Sequence, residues 1–325
     1  MNRFPVNRRQ FLSASATSLA AAGLSRAAAA VLPACASDAS ASAPARLAAA
    51  APAAALAVPA ALAVPSAVVT AAAPKGRLKH SIARWCYGGI ELEALCGQVA
   101  SMGITSIELL DEPDWKVVAS HGLTCAVANG PGSIDKGWNR PERHDELVTR
   151  SQDLLPRIAK AGIPNMIVFS GNRAGQPDDE GARHCIAGLR RITPLAESLG
   201  VTLLLEYLNS KVDHADYQFD HMAYGVAVVT GVGSPRCRIL YDIYHAQIME
   251  GDVIRTIRDH IAHIGHFHTG GVPGRHELDD TQELNYAAIC RAIADAGYRG
   301  FIGQEFIPTH DPWKSLGEAI HLCDA

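Results

Sequence analysis

The chain has 325 residues and a formal net charge of −4, with 29 Lys and Arg against 33 Asp and Glu. A phosphate-backbone partner needs a basic footprint, so this balance counts against nucleic acid as the main ligand. Length alone permits one large domain or two small ones. Composition divides the chain more sharply. Residues 1–74 are dominated by Ala with Ser, Pro and Val, whereas from Lys75 onward the usage is that of an ordinary globular enzyme. The eight cysteines are scattered without a C-x-x-C pair or zinc-finger spacing. Several sit in apolar runs, where cysteine behaves as a small hydrophobe, so buried free thiols are expected rather than a disulfide framework.

The N-terminal segment comes first in chain order. Asn7-Arg8-Arg9-Gln10-Phe11-Leu12 is followed by a weakly apolar stretch at 19–24. An arginine pair ahead of Phe-Leu and an Ala-rich run resembles a twin-arginine export signal over residues 1–30. That resemblance implies recognition by export machinery and a periplasmic destination. The stretch is Ala- and Ser-rich and broken by Arg26, which disfavours a membrane span. Leu32-Pro33-Ala34-Cys35 resembles a lipoprotein cleavage box, although a proline at that place is atypical; it would put a lipid on Cys35. Residues 31–74 read as a low-complexity Ala/Pro linker, which leaves 75–325 as the folded domain.

Within 75–325 a short β-rich run, a loop and a longer amphipathic stretch recur. The β-rich runs are 80–86, 105–110, 123–128, 165–170, 201–206, 238–242, 263–268 and 301–305. Helix-like stretches lie between them, at 92–102, 143–161, 182–199, 219–231, 253–261 and 286–296. Gly103, Gly162, Gly200 and Gly297 follow four of these, as helix-terminating residues do. Alternation of β and α implies a parallel sheet. Eight units in about 250 residues favour a (β/α)8 TIM barrel. The rival, a doubly wound open sheet, usually carries a Gly-rich phosphate loop after its first strand, and Tyr87-Gly88-Gly89-Ile90 matches that fingerprint poorly.

Catalytic groups of such barrels project from the C-terminal ends of strands. The last four predicted strands end in Glu206, Asp242, His268 and Glu305. A carboxylate after Leu203-Leu204-Leu205 is costly to bury unless it is paired, hydrogen-bonded or bound to a cation. Several converging carboxylates repel one another without a compensating charge. A divalent cation held by two Glu, one Asp and one His resolves this, and oxygen-rich ligation favours Mg2+ or Mn2+. The plainer reading of each residue taken singly is a polar strand end that caps the following helix.

Five stretches make the domain recognisable: Glu206-Tyr207-Leu208-Asn209, Tyr241-Asp242-Ile243-Tyr244-His245, His266-Phe267-His268, Gly271-Val272-Pro273-Gly274-Arg275-His276-Glu277 and Gln304-Glu305-Phe306. They resemble the xylose isomerase-like TIM barrel superfamily, and within it the hydroxypyruvate isomerase family, from His80 to Pro308. The resemblance implies an isomerase with Glu206 and Glu305 as acid/base pair, and with the same two residues plus Asp242 and His268 around a divalent metal. It implies that His245 holds a substrate oxygen. Arg275, in the loop after the seventh predicted strand, suits a bidentate grip on the carboxylate of a keto acid. Lys211 and Arg173 are weaker candidates for that grip. His266 shares a strand face with His268 and would orient it as a second-layer partner. Trp85 and Tyr87 either wall the pocket or pack.

The expected reaction interconverts hydroxypyruvate and tartronate semialdehyde through an enediolate, with a small keto acid or sugar as partner. A ketose 3-epimerase on the same scaffold is the first alternative; those relatives carry a further Glu six residues after the fifth-strand glutamate, where this chain has Val212. An apurinic endonuclease-type barrel would need more His and Asp ligands and a basic groove. A noncatalytic exported binding protein is the alternative of another class. The pattern says nothing of oligomeric state.

Overall fold

A computed structural model of the protein describes residues 76–324, all within one compact unit. The expected export signal, the linker, the lipid site at Cys35 and the domain boundary at Lys75 lie outside the described residues. Seven strands form one parallel sheet: β1 (Lys79–Ala83), β2 (Ser106–Glu108), β3 (Asn165–Val168), β4 (Thr202–Glu206), β5 (Cys237–Asp242), β6 (Ile264–Thr269) and β7 (Phe301–Gln304). Their order is β2-β1-β7-β6-β5-β4-β3. The third expected strand, 123–128, is present as an irregular segment that joins the two edges. On one side Ile107 N donates to Thr124 O (3.1 Å), Leu109 N to Val127 O (2.8 Å) and Asn129 N to Leu110 O (3.0 Å). On the other side Ala128 N donates to Asn165 O (2.9 Å) and Ile167 N to Ala128 O (3.0 Å). The ring is therefore closed, as a TIM barrel requires.

The segment departs from a regular strand where a side chain from β2 enters its ladder. Ala126 N is taken by the Ser106 hydroxyl (2.9 Å), so a side chain replaces a carbonyl of the ladder. Leu109, just after β2, also has a positive φ of 58°, a conformation costly for a branched side chain.

The helices are α1 (Leu92–Ser101), α2 (Glu112–Ser120), α3 (His144–Lys160), α4 (Asp178–Leu189), α5 (Thr193–Leu199), α6 (Met222–Val232), α7 (Ile243–Met249), α8 (Val253–His260), α9 (Tyr286–Asp295) and α10 (Pro312–Cys323). The single helix expected over 182–199 is two, because Pro194 in the first turn of α5 cannot continue an incoming helix. The short helices α2 and α7 and the C-terminal α10 add to the six expected stretches; α10 starts where the Asp311 carboxylate accepts from Trp313 N and Lys314 N. The four glycines expected to end helices all have positive φ, as at Gly200 (72°), the left-handed cap of α5. All seven described cysteines are free thiols, six of them buried.

Strand alternation makes two apolar layers. Leu203, Leu205, Ile239 and Ile302 face the helices in the main core. Leu204, Leu240, Ile167, Ala126 and Val127 form a second cluster of their own. Each such fully buried Leu or Ile contributes roughly 1.5–3 kcal/mol. Two residues further along the same faces stand Glu206 above Leu204 and Asp242 above Leu240. The apolar inner cluster is thus the floor on which the charged groups rest.

Candidate active site

The barrel brings together the four strand-end residues. One ligand atom from each of Glu206, Asp242, His268 and Glu305 can be chosen so that all lie within 4.8 Å of one another, and all four residues are buried. His268 Nδ1 is 2.6 Å from Glu305 Oε2 and 3.3 Å from Glu206 Oε1. Neither carboxylate lies along the bonding direction of that nitrogen, which has no hydrogen-bond partner.

Arg275 enters from the loop after β6 and gives four of its five N–H donors to this cluster and to His245. Its Nη2 donates to Asp242 Oδ2 (2.6 Å) and to Glu305 Oε2, and its Nε to the Glu305 carbonyl (3.0 Å). Its Nη1 is 2.9 Å from His245 Nε2, and the guanidinium lies 4.8 Å from the Tyr244 ring centroid. The left-handed φ of Arg275 (59°) aims it inward. Asp242 also does what the plainer reading of a strand end foresaw: its Oδ1 caps α7 by accepting from His245 N (3.2 Å). The two roles use different oxygens.

These surroundings separate the carboxyl groups. Burial, together with the neighbouring Glu305 and Asp242, raises Glu206 to about 7 despite the help of His268. Burial also raises Asp242, with Arg275 opposing. Burial works against Glu305 as an anion too, but His268 and Arg275 outweigh it and hold Glu305 well below the usual carboxylate range. Burial opposes a charged His268, yet the neighbouring Glu305 carboxylate and the hydrogen bond to Glu108 raise it well above an ordinary histidine. His245 moves the other way, lowered by burial and by the charge of Arg275.

The remaining expected residues divide. His245 is in the site, 3.7 Å from Asp242 Oδ2 and with Nδ1 2.6 Å from Asn209 Nδ2. Trp85, 47% exposed, donates its indole N–H to Glu305 Oε1 (2.6 Å) and so lines the mouth. Tyr87 packs instead, stacked on Trp313. Lys211 donates to the carbonyls of Ile248 and Met249 and ties down the end of α7. Arg173 bonds Asp178, Asp220 and the carbonyl of Tyr217, joining the loops after β3 and β4. Neither is drawn to the carboxylate cluster, because nearer acceptors in their own loops claim them. His266 does sit beside His268, but the two do not bond each other. Both give their Nε2 to one oxygen, Glu108 Oε1, at 2.9 and 2.7 Å.

Glu108 was invisible to a reading of strand ends, because the apolar run it interrupts extends to Leu110 while β2 stops at Glu108. Glu277 ends the stretch Gly271–Glu277. Its carboxylate accepts from Thr309 N and Oγ, His310 N and Ser315 Oγ, which fastens the Arg275 loop to the segment leading into α10.

The donor set suits a hard divalent cation: three carboxylates, and one imidazole whose Nδ1 is aimed between them without a partner. Arg275 and His268 supply the positive charge that such a cation would otherwise provide.

The profile of the xylose isomerase-like TIM barrel family matches residues 96–322. The chain belongs to that family. Among its family relatives is the 2-oxo-tetronate isomerase of Cupriavidus necator, 38% identical over 208 residues, which are 61% of this chain and 78% of the relative. A human protein named "Putative hydroxypyruvate isomerase" is 34% identical over 167 residues, 49% of this chain and 60% of its own length. Of solved family barrels, one described as AP endonuclease, family 2, from Brucella melitensis superposes with a TM-score of 0.68 at 25% identity, covering 74% of this chain and 97% of that one. An L-ribulose 3-epimerase superposes at 0.59 and 22% identity over 76% and 91%, a likeness of fold.

Proposed function

We propose that this isomerase shifts the carbonyl of a small 2-oxo acid to the adjacent carbon through an enediolate, with hydroxypyruvate and 2-oxo-tetronate as the two substrates to test. The observation that carries the reading is the convergence of Glu206 and Glu305, in contrasting surroundings, next to a buried arginine. A sugar isomerase or epimerase needs the first feature; a carboxylate-bearing substrate also calls for the second. The net negative charge does not favour a nuclease on this scaffold.

In this reading the C–H bond at the hydroxyl-bearing carbon breaks, and its proton passes to one glutamate. The electron pair forms the enediolate double bond, and the former carbonyl oxygen takes up negative charge. A proton then returns to the former carbonyl carbon, the neighbouring hydroxyl passes its proton by way of the other glutamate to the former carbonyl oxygen, and the carbonyl re-forms at that neighbour. Two carboxylates in different environments can divide this proton traffic. A bound divalent cation, held by Glu206, Asp242, His268 and Glu305, would supply Lewis-acid stabilisation of the developing oxyanion. Arg275 offers its remaining Nη1–H to the substrate carboxylate, His245 lies beside a substrate oxygen, and Trp85 keeps Glu305 oriented at the mouth.

The first of the two substrates follows from the resemblance of the five stretches. The second is favoured by the 38% identity to a 2-oxo-tetronate isomerase. We also propose, on Asn7–Leu12 alone, that the chain is exported; cell fractionation with Arg8 and Arg9 replaced by lysine tests this. The activity test is turnover of both 2-oxo acids with and without chelator, alongside Glu305→Gln. The expected result is turnover that falls with chelator and drops by about 10²–10⁴-fold in the variant. Turnover that survives chelation would remove the cation from the scheme, and undiminished activity of Glu305→Gln would remove the glutamate pair.

A further inference from the structure

Glu108 stands on the opposite wall from the four strand-end residues, at the end of β2, fully buried. One of its oxygens faces two histidines of β6 at once, 2.9 Å from His266 Nε2 and 2.7 Å from His268 Nε2, with the rings edge to face at 87°. A carboxylate oxygen only accepts, so both histidines must carry their proton on Nε2. The alternative tautomer of His268 would set a nitrogen lone pair against an anionic oxygen at 2.7 Å in a buried site, which is strongly unfavourable.

The backbone has made room for this pair. A Cβ at Gly303 of β7 would lie 2.4 Å from Glu108 Oε1 and 2.7 Å from His268 Cδ2, so any side chain there would push the two apart. Glycine is therefore required at position 303 by the contact across the barrel, independently of any turn.

We propose that Glu108 is a positioning residue of the isomerase: by holding the Nε2–H of His268, with Gly303 leaving space for it, Glu108 presents the Nδ1 lone pair of His268 to the cluster of Glu206, Asp242 and Glu305. This deepens the reading that those four residues hold a divalent cation, and rests on it. Ring nitrogens of metal-bound histidines are commonly fixed in this way, and loss of the outer partner weakens metal affinity by about 10–100-fold. Here the outer partner comes from a strand that contributes no ligand.

The test uses the full chain as wild type, Glu108→Gln, Glu108→Leu and Gly303→Ala, with two readouts: Mn2+ affinity by calorimetry, and ring 15N shifts of His268 in the metal-free protein at a pH where that ring has lost its charge. Glutamine keeps an accepting oxygen but no charge. The expected result is near wild-type Mn2+ affinity for Glu108→Gln and a loss of about 10–100-fold for Glu108→Leu, with 15N shifts moving from the Nε2–H form in wild type to a mixture in Glu108→Leu. Equal losses in the Gln and Leu variants would mean that Glu108 acts by charge alone, and no loss in either would mean that it does not act; each overturns the proposal. If Glu108→Leu does not fold, Gly303→Ala must show the same loss, and wild-type affinity in that variant overturns it as well. Wild type that binds no Mn2+ would sink the cation reading, while the 15N shifts still decide whether Glu108 sets the tautomer.

Discussion

The two walls of the barrel are built to different rules. From β4 to β7 the strands pair side by side, with one register shift between β5 and β6, and each delivers one ionisable group to the cluster at or next to its last residue. The wall of β1, β2, residues 124–129 and β3 is short and irregular, and hydroxyls stitch it together: Ser81 Oγ donates to Ser106 Oγ (2.9 Å), which in turn receives Ala126 N. Its one buried carboxylate among the described residues is Glu108, and that group faces the histidines rather than the other carboxylates. Charge is therefore concentrated on one side and braced from the other. The cost falls on the charged wall, where burial is tolerated only because Arg275 and His268 stand among the anions. Three substitutions probe that division.

The largest effect is expected from Arg275→Met. Removing one partner of a buried ion pair leaves the others uncompensated, at about 3–5 kcal/mol. Asp242 and Glu305 would both lose the guanidinium that they share. Metal-free Arg275→Met should therefore melt well below wild type. Mn2+ should raise its melting temperature more than it raises that of wild type, because the cation and the guanidinium neutralise the same two oxygens. KM for a 2-oxo acid should rise. A variant that melts like wild type without metal would show that Arg275 does not balance the charged wall.

Glu206→Gln should have the opposite sign. The glutamate is raised to about 7 in the folded protein, against an unfolded value near 4.3. Stability from such a group is fully present below the unfolded value and is lost as pH rises through the folded one. At pH 8 the metal-free wild type thus carries the whole penalty of an ionised Glu206, and the amide does not. The variant should be more stable there by about 1–3 kcal/mol while losing Mn2+ affinity and turnover. For wild type, Mn2+ affinity should climb as pH rises through about 7, since the proton competes with the cation. Thermal melts at pH 5 and 8 check the first point and calorimetry the second. A variant less stable than wild type at pH 8 would mean that the charged wall is not strained.

The charged wall was legible in the sequence, and the bracing wall was not, for physical reasons. A run such as Leu203-Leu204-Leu205-Glu206 announces both a buried strand and the cost of its last residue, and four such runs in succession define one mouth. The run at 123–128 is legible as the third element in order, although the chain there pairs irregularly and not as a regular strand. That it pairs partly through Ser106 depends on a side chain twenty residues away and leaves no local trace. Glu108 lies inside an apolar run, and its partners come from β6, 158 and 160 residues distant. Arg173 and Lys211 illustrate the reverse error. Loop cations look alike in sequence, and only the fold shows that Arg173 meets Asp220 and that Lys211 meets the end of α7.

The smallest of the three effects concerns how the charged wall receives Arg275. The loop is held from two sides, by Ile307 N donating to Arg275 O (2.7 Å) and by the Glu277 carboxylate. Burial opposes ionisation of Glu277, but hydrogen bonds from Thr309 and His310 outweigh it and lower the group to about 2. Its stabilisation is present above the unfolded value near 4.3 and is lost as pH falls toward 2. Glu277→Ala should cost about 1–2 kcal/mol through its lost hydrogen bonds, which solvent near the loop partly replaces. It touches none of the reacting groups, so kcat should change little while KM for a 2-oxo acid rises several-fold, the mark of a substrate grip that has lost its mount. Should kcat fall with KM unchanged, the strap would instead be aligning Glu305, whose carbonyl accepts from Arg275 Nε. The charged wall would then depend on this loop for its chemistry as well as for its charge balance.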